Sequence, residues 1–173
     1  IQSKMQGNIV FVLLPPLSYL EFFLAYLGAA ILRGLIVGLG VWVVTLWYAP
    51  FQLPHPVWLL AYALLACAIM AAVGIVAGIW AEKYAQLAAF HNFLILPLTF
   101  LSGVFYSIHS LPPFWQAVSR VNPVFYLIDG FRYAFVGQSD TDPGLGLLVA
   151  GACFVAISAL TLMLLKSGYK LRH

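Results

Sequence analysis

Four side chains could supply a nucleophile and a general base in this chain: Ser102, Ser107, His91 and His109. An enzyme of this kind holds the two groups within hydrogen-bonding reach of each other. His109 follows Ser107 by two residues, a spacing at which ordinary local geometry does not align the two side chains. The sequence also lacks the G-x-S-x-G turn that presents the serine of many hydrolases. We therefore expect no catalytic residue.

The sequence shows no disulfide framework, metal-binding motif or nucleotide-binding motif. Cys67 and Cys153 both lie in apolar runs, without the paired Cys/His spacing of a disulfide or metal framework, so we expect them to pack between helices. The G-x-x-x-x-G-K-[ST] loop, which holds the phosphates of ATP, does not occur. The sequence thus predicts a non-catalytic chain that holds no metal or cofactor.

Composition identifies the broad class. Of the 173 residues, 64% are hydrophobic and 8% are charged, with a mean hydropathy of +1.00. A soluble domain carries about 25% charged residues, so this chain could not cover a water-exposed surface. We predict an integral membrane protein. The net charge of +3 comes from scattered basic residues, which indicates membrane topology rather than binding of nucleic acid.

Four apolar stretches are long enough to cross a bilayer, which takes about 20 residues. They are Phe22–Trp47, Val57–Trp80, Leu87–Ile108 and Leu145–Leu165. None alternates as a barrel strand does, so all four are predicted to be helices. The predicted fold is an all-α, polytopic helical bundle with about four transmembrane helices.

Charge distribution predicts the orientation, because positive residues concentrate on the cytoplasmic side. With both ends of the chain in the cytoplasm, the basic residues inside are Lys4, Lys83, Lys166, Lys170 and Arg172. The charged residues outside are Arg120, Arg132, Asp129, Asp140 and Asp142. The domain boundaries that follow are a cytoplasmic segment 1–20, three spans in 22–108, an outer hairpin 109–144, a last span 145–165 and a cytoplasmic tail 166–173.

Polar and small residues interrupt the predicted spans. Arg33 lies about 16 Å into its helix, and it either snorkels to the cytoplasmic headgroups or faces a wet cavity. His91 and Asn92 could line a substrate path, and interhelical hydrogen bonding explains them equally well. The pairs Gly34–Gly38 and Gly74–Gly78 have the G-x-x-x-G spacing that lets helices approach closely.

The first twenty residues are apolar but too short to span before Pro15 and Pro16 break them. Ser18 and Glu21 have the spacing of a capping box, so a helix is predicted to begin at Ser18. The segment before the prolines is either a short interfacial helix or the end of a preceding span.

Two short amphipathic helices are predicted between the third and fourth spans. They are Leu111–Val121 and Val124–Val136, separated by Asn122–Pro123 and closed by Gly137. Asp129 and Arg132 are three residues apart and can pair. A re-entrant hairpin in the outer leaflet is expected, since broken helices at membrane depth occur only where they pack in protein or line a cavity. A hairpin lying passively on the outer surface is the alternative.

The stretch "LPLTFLSGVFYSIHSLPPFWQAVSRVNPVFYLIDGFRYAFVG", residues 96–137, resembles the signature region of bacterial ABC-2 type transport permeases. The matching elements are Ser102–Gly103, Leu111–Pro112–Pro113 and Asn122–Pro123–Val124–Phe125–Tyr126 with Arg132. Residues 13–38 look like the coupling segment of that family and the helix after it. Family members typically have six spans, so the resemblance implies that this chain is the C-terminal two-thirds of a permease.

The resemblance implies a transmembrane subunit of an ABC exporter, of the drug and lipo-oligosaccharide export group. Two identical permease copies, forming a homodimer, would work in the inner membrane among its lipids. They would act with a dimer of cytoplasmic ATPase subunits that holds ATP and magnesium. The residues implied in ATPase coupling are Gln6, Asn8, Leu13, Leu14, Ser18 and Glu21. Those implied in the substrate path or outer hairpin are Pro112, Pro113, Asn122, Pro123, Tyr126, Asp129 and Arg132. A channel-like protein or a structural membrane scaffold remains the alternative.

Overall fold

The computed structural model describes residues 18–48, 54–104 and 110–167. Within these ranges the chain forms helices. In chain order they are α1 (Tyr19–Tyr48), α2 (Pro56–Trp80), α3 (Tyr84–Phe90), a π-helical turn (His91–Ile95), α4 (Leu96–Phe100), α5 (Pro113–Val121), α6 (Pro123–Val136) and α7 (Pro143–Ser167). We call the continuous stretch 84–100 the third segment, and α5 with α6 the helical hairpin.

Helices α1, α2 and α7 are long and apolar enough to cross a membrane. They confirm three of the four predicted spans, and their ends differ from the predicted ends by less than one helical turn. The start of α1 is a capping box, as predicted. The Ser18 N–H donates to Glu21 Oε2 at 2.8 Å, and the Glu21 N–H donates to Ser18 Oγ at 3.2 Å. The segment predicted before it lies outside the described residues.

The third segment differs from the predicted span Leu87–Ile108. It begins at Tyr84 and its helix ends at Phe100. At about 1.5 Å per residue, it covers about 25 Å, less than the roughly 30 Å of a hydrocarbon core. The chain reverses after it through Gly103, whose φ of 79° is favourable for glycine because it has no Cβ. Residues 105–109 lie outside the described residues.

The helical hairpin confirms the two predicted short helices and the break between them. The first begins at Pro113 rather than Leu111, because each of two successive prolines disfavours the α conformation in the residue before it. The second ends where predicted. Gly137 adopts the left-handed conformation, with φ of 73°, and its N–H donates to Tyr133 O at 2.8 Å.

Helix α6 is the most enclosed element in the described part of the chain, although it is not one of the spans. It packs against both α2 and α7. Its buried residues are Val124, Phe125, Tyr126, Leu127, Asp129, Gly130 and Ala134. The three spans have a smaller share of buried residues, as expected of helices that face lipid or other protein.

Tyr62 of α2 joins these three helices. Its side chain is fully buried, and its hydroxyl donates to Pro143 O at 2.6 Å, at the start of α7. A Cβ built on Gly130 of α6 would overlap the Tyr62 ring, and one built on Gly146 of α7 would lie 2.7 Å from the Tyr62 hydroxyl. Both glycines are therefore required for the ring to fit between the helices.

The four glycines of the two G-x-x-x-G pairs differ in their surroundings. A Cβ on Gly34 would lie 2.5 Å from Cys67 Sγ, which places Cys67 between α1 and α2. A Cβ on Gly38, Gly74 or Gly78 would meet nothing within 4 Å in the described part of the chain. The spacing of glycines alone does not determine which helix face meets a neighbour.

Replacing Gly130 by alanine is expected to destabilise the protein. The added methyl group must displace the rigid ring of a buried tyrosine, and overpacking of this kind typically costs about 1–3 kcal/mol. Gly38→Ala, which adds a methyl group in open space on α1, is the matched control. Thermal unfolding in detergent measures both variants. Equal midpoints for the two would contradict the tight packing of Tyr62 against α6.

Candidate functional site

The helical hairpin is fastened to the third segment by a side chain at its turn. Asn122, between α5 and α6, donates through Nδ2 to Leu98 O at 2.6 Å. Leu98 lies about 21 Å along the third segment from Tyr84, at about 1.5 Å per residue.

Asn122 serves two helix ends at once. Its Oδ1 accepts from the Val124 N–H at 3.0 Å and caps the start of α6, where Pro123 needs no N–H partner. Its Nδ2 supplies a partner to a carbonyl at the end of the third segment, where the helix has no further N–H to offer. Unpaired buried backbone groups are costly, so this side chain stabilises the break by supplying a partner to each helix end.

Asp129 fastens the hairpin to the loop that precedes α7. Its side chain is 2% exposed and accepts three hydrogen bonds. The donors are the Asp140 N–H at 2.8 Å, the Thr141 N–H at 2.9 Å and the Thr141 hydroxyl at 2.6 Å. Such donors compensate a buried carboxylate for the water that it loses.

Arg132 links three parts of the chain. Its Nη1 lies 3.7 Å from Asp129 Oδ1, which confirms the predicted pairing along the helix, and 3.1 Å from Asp140 Oδ2. Its Nη2 donates to Gly103 O, in the turn after the third segment, at 2.8 Å. The Arg132 side chain is 28% exposed. The two closer partners lie far away in sequence and were not predicted.

The remaining hairpin residues singled out from the sequence differ in burial and contacts. Tyr126 is buried, and its hydroxyl donates to Arg120 O at 2.9 Å, which holds α5 against α6. Pro112 and Pro113 are exposed at the start of α5. Apart from these prolines and the half-buried Pro123, the polar and aromatic hairpin residues singled out from the sequence have partners within the chain.

A second polar region lies near the middle of the third segment. His91 and Asn92 are both exposed, with His91 Nδ1 3.4 Å from Asn92 Oδ1, and they stand in the π-helical turn. At about 1.5 Å per residue, His91 is about 10 Å above Tyr84. No residue in the third segment is buried by the described part of the chain. Such π-helical turns are frequent at functional sites.

Comparisons with known proteins decide the family. The model of the family described as "ABC-2 type transporter" matches residues 1–136. The chain belongs to this family. It is also 37% identical over 138 residues to the inner membrane transport permease YadH of Escherichia coli K12, and equally to YadH of Shigella flexneri. That match covers 80% of this chain and 54% of the relative, so the chain spans about half the length of the curated relatives it matches. No solved structure matches the chain significantly.

Membership in the ABC-2 family confirms the resemblance found in the sequence and identifies a multi-pass inner-membrane subunit of an ABC transporter. In this permease the Asn-Pro element and the arginine of the signature stretch both contact the end of the third segment. Of the residues implied in ATPase coupling, Ser18 and Glu21 form the capping box of α1. The others, Gln6, Asn8, Leu13 and Leu14, lie outside the described residues.

Replacing Asp129 by asparagine is expected to destabilise the permease, because an NH₂ group would face N–H and O–H donors in a buried site. Leaving one of these donors unpaired costs about 1–3 kcal/mol. Asp142→Asn is the control: Asp142 is exposed and accepts from the Leu145 N–H at 3.0 Å, a capping role that asparagine performs equally well. Thermal unfolding should show a lower midpoint for Asp129→Asn only. An unchanged midpoint would contradict the anchoring role of Asp129.

Proposed function

We propose that this permease forms the translocation path of an ABC exporter for a hydrophobic or lipid-linked substrate, and that it couples to a separate ATPase subunit. The observation that carries the proposal is the third segment. It carries the exposed polar pair His91 and Asn92, which we propose to lie inside the membrane, and its end contacts the helical hairpin.

Exposed polar side chains at membrane depth require a partner other than lipid. A histidine next to an asparagine, both in the hydrocarbon region, is stabilised where it faces protein or a water-filled cavity. No residue in the described part of the chain buries His91 or Asn92. We infer that this face of the third segment borders the path and a second copy of the permease, with which it forms a homodimer.

The rest of this face suits an amphiphilic substrate. Phe93 is 84% exposed, and Leu94, Leu96 and Phe100 are exposed beyond it toward the hairpin. Apolar side chains with a few polar groups at one level are typical of sites that bind largely hydrophobic molecules. Such a surface would accept an acyl or aromatic portion along its length and a polar group near His91.

Arg33 is compatible with this arrangement, and it need not line an internal cavity. It is exposed on α1, whose 30 residues extend about 45 Å at about 1.5 Å per residue, well beyond the roughly 30 Å of hydrocarbon. With Tyr48 at the far boundary, Arg33 lies about 8 Å inside the nearer one. Its long side chain reaches the headgroups from there, so the snorkelling interpretation is the one we adopt.

We place both chain ends in the cytoplasm and the hairpin outside, because the basic residues then gather on the inner side. The chain has no phosphate loop, so ATP and magnesium would be held by the partner ATPase dimer. ATP binding would favour one arrangement of the ATPases, and the permease would follow because its contacts with them differ between the two states. The segment that includes Leu13 and Leu14 would make those contacts.

Replacing Leu13 and Leu14 together by aspartate is expected to release the ATPase, because two charges would be buried in an apolar contact. The measurement is affinity isolation of the tagged permease from native membranes, followed by identification of the bound ATPase. Gln138→Asp, which adds a charge to the exposed loop after the hairpin, is the control and should retain the partner. Absence of any ATPase from the unaltered permease would favour the channel or scaffold alternative.

A further inference from the structure

We propose that Arg132 is a positioning residue that holds the hairpin-end turn of the third segment closed. We call Arg132, Gly103 and Asp140 the arginine latch. The latch would set access to the path from the hairpin side, so its role in transport rests on the function proposed above. The closure itself is a property of the folded permease alone.

The contacts of the guanidinium show that Arg132 does more than hold the hairpin to the loop before α7. Asp129 already holds the Asp140–Thr141 loop with three hydrogen bonds that do not involve Arg132. The bond from Arg132 Nη2 to Gly103 O is the contact by which Arg132 reaches the turn after the third segment. Loss of Arg132 should therefore free the turn after the third segment and leave the loop before α7 in place.

The turn at Gly103 is suited to being held by a cation. Gly103 follows the C-terminal end of α4, where the last carbonyls of the helix carry partial negative charge, so a guanidinium at this turn is stabilised. Ser102, next to Gly103, is fully buried. Closure by Arg132 thus coincides with complete exclusion of solvent from the neighbouring side chain.

Two side chains hold the end of the third segment and the turn after it, and they differ in solvent exposure. Asn122 holds Leu98 O through a buried amide, two residues before the end of the third segment. Arg132 holds Gly103 O through a side chain that is 28% exposed. Because water can reach the guanidinium but not the Asn122 amide, the turn 101–104 can open while the helix before it stays fixed.

Cysteine labelling tests the latch directly. In permease whose Cys67 and Cys153 are replaced by alanine, Ser102→Cys is treated with a hydrophilic maleimide supplied to both membrane faces. Labelling should be slow with Arg132 present and at least about tenfold faster with Arg132→Ala. Arg132→Lys should give an intermediate rate, because one ammonium group cannot reproduce the two-sided contact of the guanidinium. Arg120→Ala removes the exposed arginine of α5 and should leave the rate unchanged.

Labelling at a second buried position distinguishes local opening of the turn from general loosening of the fold. Ser119, on α5, is 1% exposed, and Ser119→Cys should stay protected in the Arg132→Ala background. Faster labelling at both positions, or at neither, would overturn the latch. If Arg132→Ala does not accumulate in membranes, the labelling rate of Ser102→Cys in the Arg132→Lys variant is compared with the rate in the parent. Equal rates would then overturn the latch. Supplying reagent to both faces makes the result independent of membrane orientation and of any ATPase, so failure of the latch is distinguishable from failure of the proposed function.

Discussion

The requirement that buried backbone polar groups find partners governs this structure. The third segment ends at Phe100, and the start of α6 lies against it, since Asn122 contacts Leu98. Two helix ends therefore meet where neither helix can complete its own hydrogen bonds. Asn122 provides hydrogen-bond partners at both ends: its Oδ1 caps the start of α6, and its Nδ2 donates to Leu98 O.

The fixed hairpin end contrasts with the open face of the third segment. Helix α6 is enclosed by α2 and α7, and the Tyr62 ring fills the notch left by Gly130 and Gly146. The third segment has no such cover in the described part of the chain. A bundle built in this way can present one helix to a second subunit or a substrate while its own core remains intact.

Local patterns were sufficient to predict three of the four spans, the Ser18–Glu21 capping box, the Asn122–Pro123 break and the stop at Gly137, because each depends on neighbouring residues. Contacts between distant segments were not predictable. Nothing in the spacing of Arg132 identifies Gly103 O as a partner, and nothing in the sequence around Tyr62 indicates the two glycines that admit its ring. The π-helical turn at His91–Ile95 was also missed, since it reflects one residue of register within an apolar run.

Embedding of the hairpin is tested most directly by the depth of a spin label at Val121→Cys in the reconstituted permease. Val121 is 84% exposed and adjoins Asn122, so a label there should lie within the hydrocarbon. Its collisions with oxygen should exceed those with a water-soluble nickel chelate, whereas a label at Gln138→Cys in the exposed loop should show the reverse. If the Val121 label instead collides mainly with the chelate, the hairpin lies on the membrane surface and the re-entrant arrangement is wrong.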